Sequence, residues 1–192
     1  MAKGHGKGSK FEREICKILS LWWTKGKRED VFWRSTTSGA RATVRNRKGQ
    51  STFGQYGDIQ ATDPIGQPLL DVCTIEAKRG YSSDTIAHLL DALPGNKLQV
   101  YEKFIQQAKA DHKKAGSMFW MLIVKRDRRE PLVYIPIQFY KVLLKTSAFR
   151  KPFQKYIKLR HKHFTIFVCR LSIFLKLTKP KVIEKIAKSY SI

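Results

Sequence analysis

Cysteine is scarce in this chain: Cys16, Cys73 and Cys169 are odd in number and far apart. That excludes a disulfide framework and a zinc site built on paired thiolates, and it predicts a reduced, intracellular setting. Acidic residues are also few, 15 against 38 Lys and Arg. Long apolar runs are missing. The stretch from Phe164 to Leu177 is interrupted by Arg170 and Lys176, too short and too charged to span a bilayer. The opening Met1-Ala2-Lys3-Gly4-His5-Gly6-Lys7-Gly8 lacks the apolar segment of a signal peptide. No lipidation site, internal repeat or low-complexity run is visible. The histidines, His5, His88, His112, His161 and His163, show no ligand-like spacing beyond His161-Lys162-His163, so neither a histidine metal site nor a histidine base is expected.

What is present fits one domain of ordinary size, since 192 residues with 42% hydrophobic content can bury a real core. The net charge of +23 is segregated. Lys and Arg outnumber acids 13 to 4 in residues 1–57 and 14 to 1 in residues 141–192, whereas residues 58–140 carry 11 bases and 10 acids. A near-neutral centre between basic ends suits a polyanion partner. Aromatics interleaved with the bases favour nucleic acid over a membrane surface.

The first ten residues read as a Gly- and Lys-rich mobile arm. Ser9 is an N-cap candidate, with Glu12 three residues later completing a capping box, for an amphipathic helix through Trp23. Phe11, Ile15, Ile18, Leu19 and Trp22 mark its apolar side. Residues 31–34 read as a short strand, and residues 35–57 as a long polar loop of the kind that carries function. A helical rhythm over residues 84–93 stops at Pro94-Gly95-Asn96, and a helix over 98–115 stops at Gly116. Strands follow at 118–124 and 132–135, then a helix from Pro136 to Leu144, a strand at 164–169 and a last helix from near Pro180.

Asp58 and Glu76-Ala77-Lys78 are the most informative residues. Each closes or opens a short apolar run, 58–61 and 69–78, and Asp63-Pro64-Ile65-Gly66-Gln67-Pro68 between them is a dense turn signal. The runs read as a hairpin that brings Asp58 near Thr74 or Glu76, roughly 7–8 Å across the diagonal. Two inward carboxylates could hold one hard divalent cation, with Lys78 beside it.

With these elements in order, Gly57-Asp58 and Glu76-Ala77-Lys78 resemble the signature of the PD-(D/E)XK nuclease superfamily, with Gly where Pro is usual. Lys7-Gly8-Ser9-Lys10-Phe11-Glu12-Arg13-Glu14, followed by Arg34 to Gly39, is similar to the opening of archaeal-type Holliday-junction resolvases. The likeness covers residues 7–135. It implies an α/β fold with a restriction-endonuclease-like mixed central β-sheet flanked by helices: a basic arm at 1–10, a nuclease core at 11–145 and a basic C-terminal extension at 146–192, packed on or beside that core.

The resemblance implies a Mg²⁺-dependent DNA endonuclease (Mn²⁺ as an alternative ion) acting on branched DNA in recombination or repair, as a homodimer, with a viral or mobile-element source fitting so small an enzyme. Asp58, Glu76 and the Ala77 carbonyl would ligate the ion, and Glu12 would extend the acidic cluster. Lys78 would orient or deprotonate the attacking water, its pKa able to fall when desolvated beside a cation. Lys7, Lys10, Ser38, Arg41, Arg45, Arg47, Lys48 and Arg79 would contact DNA phosphates. Gln106 and Gln107 lie within reach of the site, and Glu14 reads as a surface residue. Plainer readings stand beside these: a turn carboxylate for Asp58, a surface ion pair for Glu76 and Lys78, a helix cap for Glu12, a solvated loop for the arginines. Two other functions fit the same sequence, a sequence- or damage-specific endonuclease of this fold and a non-catalytic nucleic-acid-binding protein.

Overall fold

Apolar side chains alternating along the central strands give the sheet two buried faces, and each face collects its own helices. The computed structural model describes residues 4–35, 56–81, 83–91, 98–146, 156–162 and 164–190. Strands β1 (Phe32–Arg34) and β2 (Ile59–Ala61) form a small antiparallel pair. The main sheet contains β3 (Cys73–Arg79), β4 (Phe119–Lys125), β5 (Leu132–Pro136), β6 (Tyr156–His161) and β7 (Phe164–Arg170), in the order β3-β4-β5-β7-β6. Only the β3–β4 pair is parallel.

Cys73, Ile75 and Ala77 of β3 and Met121 and Ile123 of β4 face one side. There they meet α1 (Gly4–Trp23), α2 (Gln67–Val72), α5 (Ile137–Leu144), α6 (Leu171–Leu177) and α7 (Pro180–Tyr190). Helix α1 contributes Phe11, Ile15, Leu19 and Trp23 at helical spacing. Each is buried, a stabilisation of about 1.5–3 kcal/mol per side chain. The alternate residues Trp120, Leu122 and Val124 face the other side, against Tyr101, Phe104, Ile105 and Ala108 of α4 (Val100–Ala115) and Leu89 of the single turn α3 (His88–Asp91). Helix α4 is the crossover that parallel β3 and β4 require, and it ends at Gly116 in the left-handed region, φ +72°.

Three expectations change. Residues 4–10 belong to α1, so Ser9 lies inside the helix and does not cap it. The hairpin does not form: β2 pairs with β1, and the segment before β3 is helical. Asp63 accepts from the Ile65 amide at 3.0 Å and opens a 3₁₀ turn, Pro64–Gly66; Pro68 sits in the first turn of α2, where its missing N–H costs nothing. Leu69 and Val72 are therefore buried at helical spacing and the strand begins only at Cys73.

The third concerns the C-terminal segment that charge sets apart. Strand β7 lies between β5 and β6, pairing Tyr134 with Val168 and Ile157 with Val168 on its two edges. Phe167, Leu171, Phe174, Ile183 and Ile186 enter the same core cluster as Phe11 and Ile75.

Candidate active site

Gly57 brings the site together. Its φ of +85° suits glycine, and a Cβ there would lie 2.9 Å from Thr74 Cγ2 and 3.0 Å from the Ile75 carbonyl oxygen. This close approach lets the Asp58 amide donate to the Ile75 carbonyl at 2.9 Å, while the Asp58 carbonyl accepts from the Ser35 amide at 2.9 Å. Asp58 is thereby fixed against β3, although no hairpin joins them. Its Oδ2 accepts from the Ala77 amide at 2.9 Å.

Glu76 and Lys78 lie two apart on β3 and share a strand face. Lys78 Nζ donates to Glu76 Oε2 at 2.8 Å and to Asp58 Oδ2 at 3.4 Å. Gln107, reaching from α4, donates its Nε2 to the same Glu76 oxygen at 3.0 Å. The carboxylates are deeply set, with side-chain exposures of 7% for Asp58 and 2% for Glu76, and Lys78 retains 17%.

Burial, followed by the charge of Asp58, pushes the Glu76 carboxyl up to about 8, against the opposing pull of Lys78. For Lys78 burial acts downward, but Asp58 and Glu76 outweigh it and hold the amine above its ordinary range. Without a cation, two carboxylates around one amine favour the ammonium. Burial, then Asp58, raises Glu12 as well, with Arg34 and Lys78 opposing.

Glu12 is not gathered with the other two acids. It faces Arg34, whose Nε lies 3.4 Å from its Oε2, and among the described residues no three His, Cys, Asp or Glu side chains are grouped to hold an ion. Glu14 lies at the surface, its side chain 36% exposed, and is paired there: Lys125 Nζ lies 2.5 Å and Arg79 Nη1 3.8 Å from its carboxylate. Arg79 is therefore drawn towards α1, and its Nε is buried without a hydrogen-bond partner. Lys10 is exposed on α1. Ser38, Arg41, Arg45, Arg47 and Lys48, and the side chain of Lys7, lie outside the described residues. Both glutamines are exposed, and of the two Gln107 touches Glu76. Arg34 and Lys125 pair with the acids of α1; Arg34 entered the sequence reading only as the start of the segment likened to resolvases, and Lys125 carried no signal there. Lys125 meets Arg79 only through the parallel register of β3 and β4.

Against this geometry, a family model described as "Phage putative PDDEXK endonuclease" matches residues 3–185. The chain belongs to this phage PDDEXK endonuclease family. Searches of curated proteins and of solved structures give no match. As a PDDEXK protein it is a nuclease of restriction-endonuclease-like fold, and its five-stranded mixed sheet with helices on both faces agrees with that architecture. The family match runs from α1 into α7 and so takes in β6 and β7, which the narrower resolvase likeness leaves without counterparts. The phage association of the family agrees with a viral or mobile-element source. Nucleases of this class generally work with divalent metal ions. Among the described residues no helix is long and apolar enough to cross a membrane.

Proposed function

We propose that this PDDEXK protein is a Mg²⁺-dependent endonuclease, able to use Mn²⁺, that hydrolyses DNA phosphodiester bonds with a preference for branched DNA. One observation carries the reading: a single ammonium, Lys78 Nζ, contacts two buried carboxylates at 2.8 and 3.4 Å. Two buried acids around one base leave negative charge uncompensated, and such a charge is stable only with a further counter-ion or a proton. The donor set suits a hard cation. Asp58 and Glu76 would hold it with the Ala77 carbonyl, and the lack of a third grouped acid leaves positions for water and phosphate, as Mg²⁺ prefers. When bound, the ion would polarise the phosphoryl oxygens and acidify a coordinated water.

The chain's own groups have separate tasks. Lys78 orients or deprotonates the attacking water and offsets phosphate charge. Gln107 and Lys78 fix the Glu76 carboxylate, and the Ala77 amide fixes that of Asp58. Glu12 adds negative potential from α1. Lys7, Lys10, Ser38, Arg41, Arg45, Arg47, Lys48 and Arg79 supply phosphate contacts without reading base edges, which suits recognition of DNA shape. The likeness of residues 7–14 to archaeal-type resolvases supports a four-way junction as substrate and a homodimer with two sites as the active form, since a two-fold assembly matches two symmetry-related strands.

The test is strand scission of a labelled four-way junction beside matched linear, nicked and flapped duplexes, in Mg²⁺, Mn²⁺ or EDTA. We expect scission with either ion, none in EDTA, and the junction cut fastest. Equal cutting of every substrate would remove the branched-DNA assignment. No scission under any condition would leave a binding protein.

A further inference from the structure

The cleft at the far edge of the sheet has no place in the chemistry above. It has a volume of about 810 Å³ and is lined by Lys109, Lys158, Arg160, Lys162, Trp120 and Phe164 among others. Trp120 is buried at its base, and Phe164, half-buried, lies under Lys109, whose Nζ is 5.6 Å from the ring centroid. Lys158 and Arg160 lie two apart on β6 and so point to the same side of the strand, while Leu159 between them is buried. Lys162 follows in the turn.

The charges in this cleft are not balanced. Lys162 is neutralised by Glu102 at 2.7 Å, and His161 also lies 3.7 Å from that acid. Lys109, Lys158 and Arg160 have no acidic partner among the described residues, and no Asp or Glu lines the cleft. Three cations lining one cleft, Lys109 from α4 and Lys158 and Arg160 from β6, repel one another, and the arrangement becomes favourable when an anion with several charges enters. A nucleic-acid backbone meets that need with regularly spaced phosphates, and the half-buried Phe164 beside them suits a sugar or base edge.

The position matters as much as the charge. Glu76 and Lys78 stand on β3, whereas Lys158 and Arg160 stand on β6, four strands away. At ordinary strand spacing that is roughly 19 Å, or about five to six phosphate steps along one DNA strand. Helix α4 runs between the two places, with Gln107 turned to Glu76 and Lys109 lining the cleft. From this we infer a second nucleic-acid-backbone site in the β6–β7–α4 cleft, which holds substrate DNA beyond the scissile region. The inference rests on DNA being the substrate and deepens that reading by giving the DNA a second anchoring point.

The test measures binding in EDTA, without cleavage, so that a failure of the catalytic reading does not affect it. The full chain is titrated onto a labelled 30-bp duplex and a four-way junction between about 50 and 300 mM salt. One variant carries K109Q, K158Q and R160Q. A control of equal charge change carries K181Q, K185Q and K188Q, all exposed on α7. The cleft variant should bind on the order of tenfold more weakly at 100 mM salt. Its slope of log K against log salt should be shallower by about 2–3, because each lost phosphate contact removes about 0.9 on duplex DNA. The control should shift much less. Equal shifts in both variants would mean that net charge alone acts and would overturn the inference. An unchanged slope in the cleft variant, as expected if the cleft serves an acidic protein partner, would overturn it too.

Discussion

Glu76 accepts hydrogen bonds from Lys78 and Gln107 while facing a second carboxylate, so its ionisation in the absence of a metal ion works against folding. Its folded-state pKa of about 8 lies above the ordinary 4.5. Stability from this group is therefore fully present below about 4.5 and is lost as pH rises towards 8. In EDTA, Glu76→Gln should gain thermal stability relative to the parent as pH moves from 5.5 to 8.5. Thermal unfolding at the two values checks this, and parallel pH profiles would contradict it. Asp58→Ala and Lys78→Ala should each lower single-turnover cleavage by about 10²–10³-fold or more, with DNA affinity within about threefold. Full cleavage by the Asp58→Ala protein in Mg²⁺ would refute the assignment. The meeting of Asp58, Glu76 and Lys78 was legible because charged side chains border two short apolar runs. Gln107 could only be placed within reach, since its contact depends on how α4 lies across β3. Glu12 was harder still: its helical position is visible in sequence, but the Arg34 that claims it comes from a strand.

At the scale of elements, Gly57 sets how closely the Asp58 segment approaches β3. Gly57→Ala should cost about 1–3 kcal/mol, because it adds a left-handed backbone penalty to a clash with the Ile75 carbonyl, which cannot swing away. It should also lower cleavage by about 10²-fold through displacement of Asp58. Denaturant unfolding and single-turnover rates measure the two effects, and a wild-type cleavage rate would show that the approach is not needed. The same region explains the false hairpin. Apolar residues at 69 and 70 extend the run that begins β3, so the helical pair Leu69 and Val72 is hidden inside what looks like one strand. Position 58 was nonetheless correctly brought to β3, because one backbone hydrogen bond achieves what a hairpin would have done. Helix α4 and strand β4 were readable almost to their ends, owing to a left-handed glycine stop and an unbroken apolar run.

For the whole molecule, charge and topology divide the chain differently. The last 52 residues of the chain hold 14 bases and one acid, yet β7 occupies an interior position of the sheet. Sequence charge reports what faces solvent, whereas strand pairing is set by the buried residues between. A chain ending at residue 145 should therefore fail to fold. It would lose Phe167, Leu171, Phe174, Ile183 and Ile186 from the core, roughly 7–15 kcal/mol of apolar burial and comparable to the whole stability of a domain. It would also expose the β5 edge. Circular dichroism and size-exclusion chromatography would test this, and a monomeric, cooperatively unfolding fragment would contradict it.

All three thiols are interior, and burial raises each of them, Cys16 and Cys169 to about 12. Alkylating reagents attack the thiolate, so the native protein should be inert to iodoacetamide until it opens. Because Cys16 sits on α1, Cys73 at the start of β3 and Cys169 on β7, pulse labelling followed by peptide mass analysis would time the release of three separate parts of the structure. The protein thus carries its own built-in reporters of unfolding, with no probe to be engineered.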